Sequence, residues 1–377
     1  MAKGPVRKTA KESSQQHALS AVFLADNVDS MTKGLADPST IKYSEKLVSA
    51  IRDRPIYSVS HKNDMDGISS AALLHKFYSV PVERIKFMEY SGASYSEVAE
   101  WLTGKDISNS VVVFTDIGIN PGAFKLFQST LLTLKQKGNM VIWLDHHPWE
   151  PEQVNFCAEN VSYLVAGENR LMCGADLTYN VLCRKLDSDG KGERLTALAH
   201  LMDFNIRSKS TDQLTFRLAE AITYMLWAGK DAEKLLRRMV PMVAELDFGN
   251  RFIANNARKY LEEEKVNTEE LLSSAKTLSV GKRSITIGFG KRLQSTAACE
   301  ALLSKSGSDI AAFVNYAEER CSLRSKSGVD CSYIAKAMGG NGHPQAGGFT
   351  ALASEYSGFD AKGRAKLVKR IVEVASA

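Results

Sequence analysis

Ile56-Tyr-Ser-Val-Ser60, then His61-Lys-Asn-Asp-Met-Asp-Gly67, then an apolar pattern of helical period from Ile68 to Tyr78 is the stretch that decides the fold. A β-prone run, a polar turn ending in glycine and a helix form one strand–turn–helix unit. Downstream, Ile85–Tyr90 reads as a second strand and Glu97–Leu102 as a short helix. Val111–Thr115 and Val141–Leu144 are near-continuous apolar runs, which suit strands buried on both faces. Strands alternating with helices predict an α/β domain with a mostly parallel, doubly wound sheet and right-handed crossovers.

Outside this block the pattern changes. Residues 1–17 read as a disordered basic tail: Lys3, Arg7, Lys8 and Lys11 face Glu12 alone. Helices are expected at about 18–25 and 40–51. From about 174 to 265 the chain is mainly helical, with Leu214–Ala228, Ala232–Val243 and a connecting helix at Phe252–Glu264. A second α/β block follows: strands at Ser284–Gly288 and Ile310–Val314, a helix near Ala297–Ser304, and a glycine-rich run at Gly339–Gly348. The expected organisation is a large domain over 18–250, a helical linker over 251–277 and a smaller α/β domain over 278–377.

The chain has 377 residues, 44% hydrophobic and 24% charged. That suffices for two cores and excludes collagen, low-complexity polymer and wholly disordered chain. No apolar run reaches the ~18–20 residues of a membrane span, and the N-terminal stretch has no signal-type segment. A cytoplasmic location and no membrane partner are expected. A net charge of +5 permits nucleic acid as a partner without arguing strongly for it. Six cysteines (157, 173, 183, 299, 321 and 331) form no CxxC pair. They are expected to be reduced, small core residues.

Acidic and histidine residues cluster just after predicted strands, where open α/β sheets bind ligands. His61, Asp64 and Asp66 follow the first strand, Asp116 the third, and Asp145-His146-His147 the fourth; Asp203 is a later candidate. Any one of these alone would pass as a turn or helix cap. If the strand ends converge, four carboxylates share one site. Each like-charged pair at ~4 Å costs about 4 kcal/mol at an effective dielectric of 20. Two divalent ions supply the compensating charge. The mixed Asp/His set suits Mn²⁺, with Mg²⁺, Co²⁺ or Zn²⁺ as alternatives.

Ser60-His-Lys-Asn-Asp-Met-Asp-Gly-Ile-Ser-Ser70, Thr115-Asp116, Leu144-Asp-His-His147 and Leu201-Met-Asp203 resemble the four ordered motifs of the DHH phosphoesterase superfamily. Ser322-Leu-Arg-Ser325 and Gly339-Gly-Asn-Gly-His-Pro-Gln-Ala-Gly-Gly348 resemble its DHHA1 substrate-binding domain. Asn341 departs from that pattern, where glycine is usual. The resemblance covers about 55–377. It implies that His61 and Asp64 bind one metal and Asp66 and His146 the other. Asp116 would bridge the two, and Asp203 would complete the second site. His147 would contact the scissile phosphate, and Asp145 would orient a histidine. In the C-terminal domain, Arg324, Ser325, Gly340, Gly342 and His343 would bind substrate.

The resemblance further implies a two-metal phosphodiesterase of the RecJ-like exonuclease and nanoRNase group, close to the archaeal-type RecJ homologues. Such an enzyme would release 5′-mononucleotides from an end of single-stranded DNA or RNA, or of short oligonucleotides, with a lean to 3′→5′ polarity. Tyr90, Trp149 and Phe349 are candidate base-stacking residues. The alternatives are a phosphodiesterase for a small ester, such as a cyclic dinucleotide or 3′-phosphoadenosine 5′-phosphate, and a non-catalytic replication component. The segments before residue 55 leave room for a homo-oligomer mate or a replication or repair partner.

Overall fold

The computed structural model describes residues 21–24, 43–105, 107–169, 171–204 and 213–376. The tail expected at 1–17 lies outside them. The chain divides into two units, Met1–Ala257 and Arg258–Ala377.

In the first unit the helix expected at 18–25 is corrected. Ala21–Leu24 is a strand, β1, paired antiparallel with residues 163–166. Ala-Val-Phe-Leu is too short to show a helical period, and a free sheet edge captures it. Helix α1 (Glu45–Ile51) starts later than expected, where the Ser44 side chain accepts the Leu47 N–H. There follow β2 (Ile56–His61), α2 (Met65–Tyr78), β3 (Ile85–Met88), α3 (Gly92–Gly104), β4 (Val111–Thr115), α4 (Phe124–Gln136), β5 (Met140–Leu144), α5 (Pro151–Asn160) and β6 (Tyr163–Ala166).

The strand order is β1-β6-β5-β4-β2-β3, and every pair except β1–β6 is parallel. Helices cover both faces. In β4, Val111 and Val113 join one core cluster, while Val112 and Phe114 join the other. That explains the unbroken apolar run. One cluster is closed by α1, α2, α6 (Gly174–Thr178), α7 (Lys191–Asp203), α8 (Gln213–Leu226) and α9 (Ala232–Ala244), the other by α3, α4 and α5.

Helix α10 (Arg251–Ser274) outruns the expected linker helix by ten residues. Its last turns carry Leu271 into a core of the second unit. That unit contains β7 (Lys276–Val280), β8 (Arg283–Gly290), α11 (Ser295–Ser306), β9 (Ile310–Asn315), β10 (Arg320–Ser325), α12 (Ser332–Ala337), β11 (Asn341–His343), β12 (Ala346–Thr350) and α13 (Ala361–Ser376). Its sheet runs β11-β12-β10-β9-β8-β7 with only β8–β9 parallel. All six cysteines are buried and unpaired. No helix among the described residues is long and apolar enough to cross a membrane.

Candidate metal centre

From β2 the chain moves outward to β3 on one side and then to β4 on the other. The carboxyl ends of β2 and β4 therefore flank the point where the sheet order reverses, the place a doubly wound fold reserves for a ligand. His61 closes β2. Asp64 caps α2, accepting the Gly67 N–H at 3.2 Å, and Asp66 lies in its first turn. Gly67 is required here, because a Cβ would stand 2.7 Å from the His61 carbonyl carbon. Asp116 follows β4 with φ of 58°, a left-handed conformation that is uncommon outside glycine. Asp145, His146 and His147 follow β5, and Asp203 ends α7.

These residues meet in overlapping groups whose ligand atoms lie within 4.8 Å of one another: His61, Asp64 and Asp116; Asp66, His146 and Asp203; and Asp116, His146 and His147. His146 Nε2 stands 3.3 Å from Asp116 Oδ1, 3.7 Å from Asp66 Oδ2 and 3.9 Å from Asp203 Oδ2. Of the other aspartates in this region that could have taken the place of Asp203, Asp212 lies outside the described residues, and Asp187 and Asp189 are engaged elsewhere. Asp187 accepts from Tyr179 and the Glu193 N–H, and Asp189 pairs with Lys76.

The electrostatics are those of a crowded acidic pocket. Asp66 and Asp116 are each 1% exposed. Burial and then the Asp116 carboxylate push the Asp66 carboxyl well above its ordinary range. Burial opposes charge on His146, but the surrounding Asp116, Asp145 and Asp66 carboxylates outweigh it and hold its pKa at about 10. Asp145 is likewise disfavoured by burial as an anion, yet His147 brings it below the usual carboxylate value.

The residues fit divalent ions. Both nitrogens of His61, Asp116 Oδ2 and His146 Nε2 are buried without a hydrogen-bond partner among the described residues. His61 Nδ1 approaches Asp64 Oδ2 to 2.8 Å, but not in hydrogen-bond geometry. Nitrogen and oxygen donors that converge on a shared space without hydrogen-bond partners form a ligand set for a cation, which would displace the protons they carry without it.

Supporting contacts fix the donors. Asp145 Oδ1 takes His147 Nδ1 at 2.8 Å, and Asp145 Oδ2 accepts Trp149 Nε1 at 2.7 Å. Trp149 is thus committed to the site wall, edge-on to Trp143. Phe349 is 3% exposed in the core of the second unit, which corrects the expectation that it stacks a base. The Tyr90 hydroxyl donates to the Asp116 carbonyl at 3.2 Å and lies 2.9 Å from His147 Nδ1. Its ring sits between those of His61 and His147.

Sequence reasoning missed the clamp on Asp66. The N–H groups of Gly174 and Ala175, at the start of α6, donate to its two oxygens at 2.6 Å each. It also missed a couple between Asp176 Oδ2 and His200 Nδ1 at 2.6 Å. A Gly-Ala pair opening a helix was the only available signal.

The C-terminal candidates lie on adjacent strands. Arg324, on β10, donates to the Leu323 carbonyl at 2.9 Å and to Thr296 Oγ1 at 3.1 Å, and has no acidic partner among the described residues. The Ser325 hydroxyl is engaged by the Val329 carbonyl. His343 is exposed on β11 and lines a cavity of about 470 Å³ with Asp330 and Gln345. Gly340 and Gly342 have a packing reason to be glycine. A Cβ at 340 would stand 2.7 Å from Phe349 Cα, and one at 342 would run into the β12 backbone at 346–347. Asn341 pairs in register with Gly348 and keeps negative φ, so its departure from glycine is absorbed.

Comparison with known proteins agrees with this geometry. Residues 55–204 match the model described as the DHH family, N-terminal domain. The crystal structure of exonuclease RecJ bound to manganese aligns with a TM-score of 0.54 at 15% identity, covering 87% of this chain and 92% of that one. RecJ in complex with Mn²⁺ from Thermus thermophilus gives 0.54 at 14% identity, covering 87% and 53%. The DHH domain of a member of a family of ribosomal proteins gives 0.55 at 14% identity, covering 86% and 87%. No curated protein sequence matches. At these identities the structural likeness establishes the fold, and the family match identifies the domain. Fold and site together define a metal-dependent phosphoesterase. Residues 55–204 are a domain of the DHH family.

Proposed function

We propose that this protein hydrolyses phosphodiester bonds at an end of single-stranded nucleic acid or short oligonucleotides, releasing 5′-mononucleotides. In this reading two Mn²⁺ ions would be held, one by His61, Asp64 and Asp116, the other by Asp66, His146 and Asp203 with Asp116 shared. The observation that carries it is the gathering of these six side chains, with unpartnered nitrogens and oxygens facing one another. The ion pair would supply Lewis-acid polarisation of the phosphoryl oxygens and a water nucleophile of lowered pKa.

The chain's own groups do the rest. Asp145 holds His147 through Nδ1, and the His147 ring contacts the scissile phosphate and offsets charge building on it. Tyr90 and the Gly174–Ala175 amides keep Asp116 and Asp66 in place. Arg324, lacking an acidic partner among the described residues, and the exposed His343 are the second unit's candidates for binding a substrate phosphate. An exonuclease, RecJ bound to manganese, has the same fold, and 3′→5′ is the polarity we assign.

A denaturing-gel digestion with Mn²⁺ tests the reading, using short and long DNA and RNA oligomers labelled at either end. The expected product is a mononucleotide released first from the 3′ end. Cleavage of a cyclic dinucleotide with every linear oligomer left intact would replace this reading with the small-ester one.

A further inference from the structure

His200 stands one turn before Asp203 on α7 and so shares its face of the helix. Its Nδ1 is held at 2.6 Å by Asp176 Oδ2, which is itself fixed by the Cys173 N–H at 2.9 Å. Asp176 lies in the first turn of α6, the same turn whose Gly174 and Ala175 amides clamp Asp66. The His200 ring packs on Phe204 at 4.7 Å between centroids, and Phe204 meets His146 at 6.3 Å. The couple is therefore built onto the wall of the Asp66–His146–Asp203 group.

A buried structural couple would be sealed; this one is not. The His200 side chain is 30% exposed, and Nε2 has no hydrogen-bond partner among the described residues. An imidazole whose Nδ1 is braced by a carboxylate has a fixed ring orientation and, as imidazolium, offers its other N–H to an anion. We infer that His200, positioned by Asp176, binds a substrate phosphate adjacent to the one being cleaved. The inference rests on the phosphodiesterase reading above and extends it. The enzyme would recognise a chain with a second phosphate, not a single isolated ester.

The test compares a tetranucleotide with bis(p-nitrophenyl) phosphate, which has no second phosphate, on the Mn²⁺-loaded full chain. His200→Gln should lower kcat/KM on the tetranucleotide about tenfold more than on the ester, mainly through KM, with an unchanged melting temperature. Asp176→Asn should shift the same ratio in the same direction by less, because an amide oxygen still accepts from Nδ1. An equal fall on both substrates, or a fall that follows the melting temperature, overturns the contact. A wild-type enzyme that cuts the ester but no oligonucleotide removes the nucleic-acid reading and this contact with it. Normal tetranucleotide kinetics in His200→Gln, beside an active wild type, removes the contact alone.

Discussion

Asp66 and Gly174, 108 residues apart in sequence, are joined by a 2.6 Å hydrogen bond from the glycine N–H to the carboxylate. The same glycine lies against Asp116, so that a Cβ there would stand 2.6 Å from Asp116 Cβ. One backbone position therefore holds two carboxylates of the centre. Gly174→Ala should lower Mn²⁺ affinity about 10–100-fold, the usual cost of disturbing a ligand's support. Isothermal titration with Mn²⁺ measures it; unchanged affinity would show that the close approach of residue 174 to the two carboxylates does not position them.

Asp116 and His146 each belong to two of the ligand groups, and Asp116 occupies a left-handed conformation that asparagine also tolerates. Asp116→Asn should cut turnover by at least about a hundredfold. The melting temperature of the metal-free protein should change little, because the repulsion of Asp66 and the attraction of His146 are lost together. Turnover near wild type contradicts the shared role.

Tyr90 donates to the Asp116 carbonyl and touches the His147 ring. Tyr90→Phe keeps the ring and loses the hydroxyl. An approximately tenfold lower kcat with a smaller change in KM is expected. Steady-state kinetics on one oligonucleotide settles it, and equal kcat would reduce Tyr90 to packing.

The His146 pKa sets a pH dependence. It is about 10 in the folded, metal-free chain against an ordinary 6.5. Folded-state protonation thus stabilises the chain fully below about 6.5, and this contribution is lost as pH rises through about 10. The melting temperature of EDTA-treated protein should fall across that window, and Mn²⁺ should suppress the fall. Ion binding must displace the proton, so Mn²⁺ affinity should rise with pH and release protons to the buffer. Calorimetry in buffers of different ionisation enthalpy detects that release; its absence would mean that His146 is not a ligand.

His343 is exposed and outside the metal cluster. His343→Ala should raise KM more than it lowers kcat. A purely kcat effect would move His343 into the transition state.

Much of this was legible because it is local. Strand, turn and helix around His61–Gly67, and the apolar runs before Asp116 and Asp145, carry their own periodicity and punctuation. What escaped was set by tertiary approach. The amides of Gly174 and Ala175 meet Asp66 only after α6 docks on α2, and Asp176 finds His200 only once α7 returns. Ala21–Leu24 is too short to show a period, so its pairing with β6 was invisible. Phe349 carries no sign that it faces a core, and Gly340 and Gly342 are fixed by backbone approach between β11 and β12.

The proposed chemistry requires two divalent ions in one acidic-imidazole cluster. Anomalous scattering at the manganese edge, from crystals grown with Mn²⁺, tests it directly. Two peaks per chain are expected, one against His61, Asp64 and Asp116, the other against Asp66, His146, Asp203 and the same Asp116. Density without a peak at this cluster, or peaks held by other residues, would contradict it.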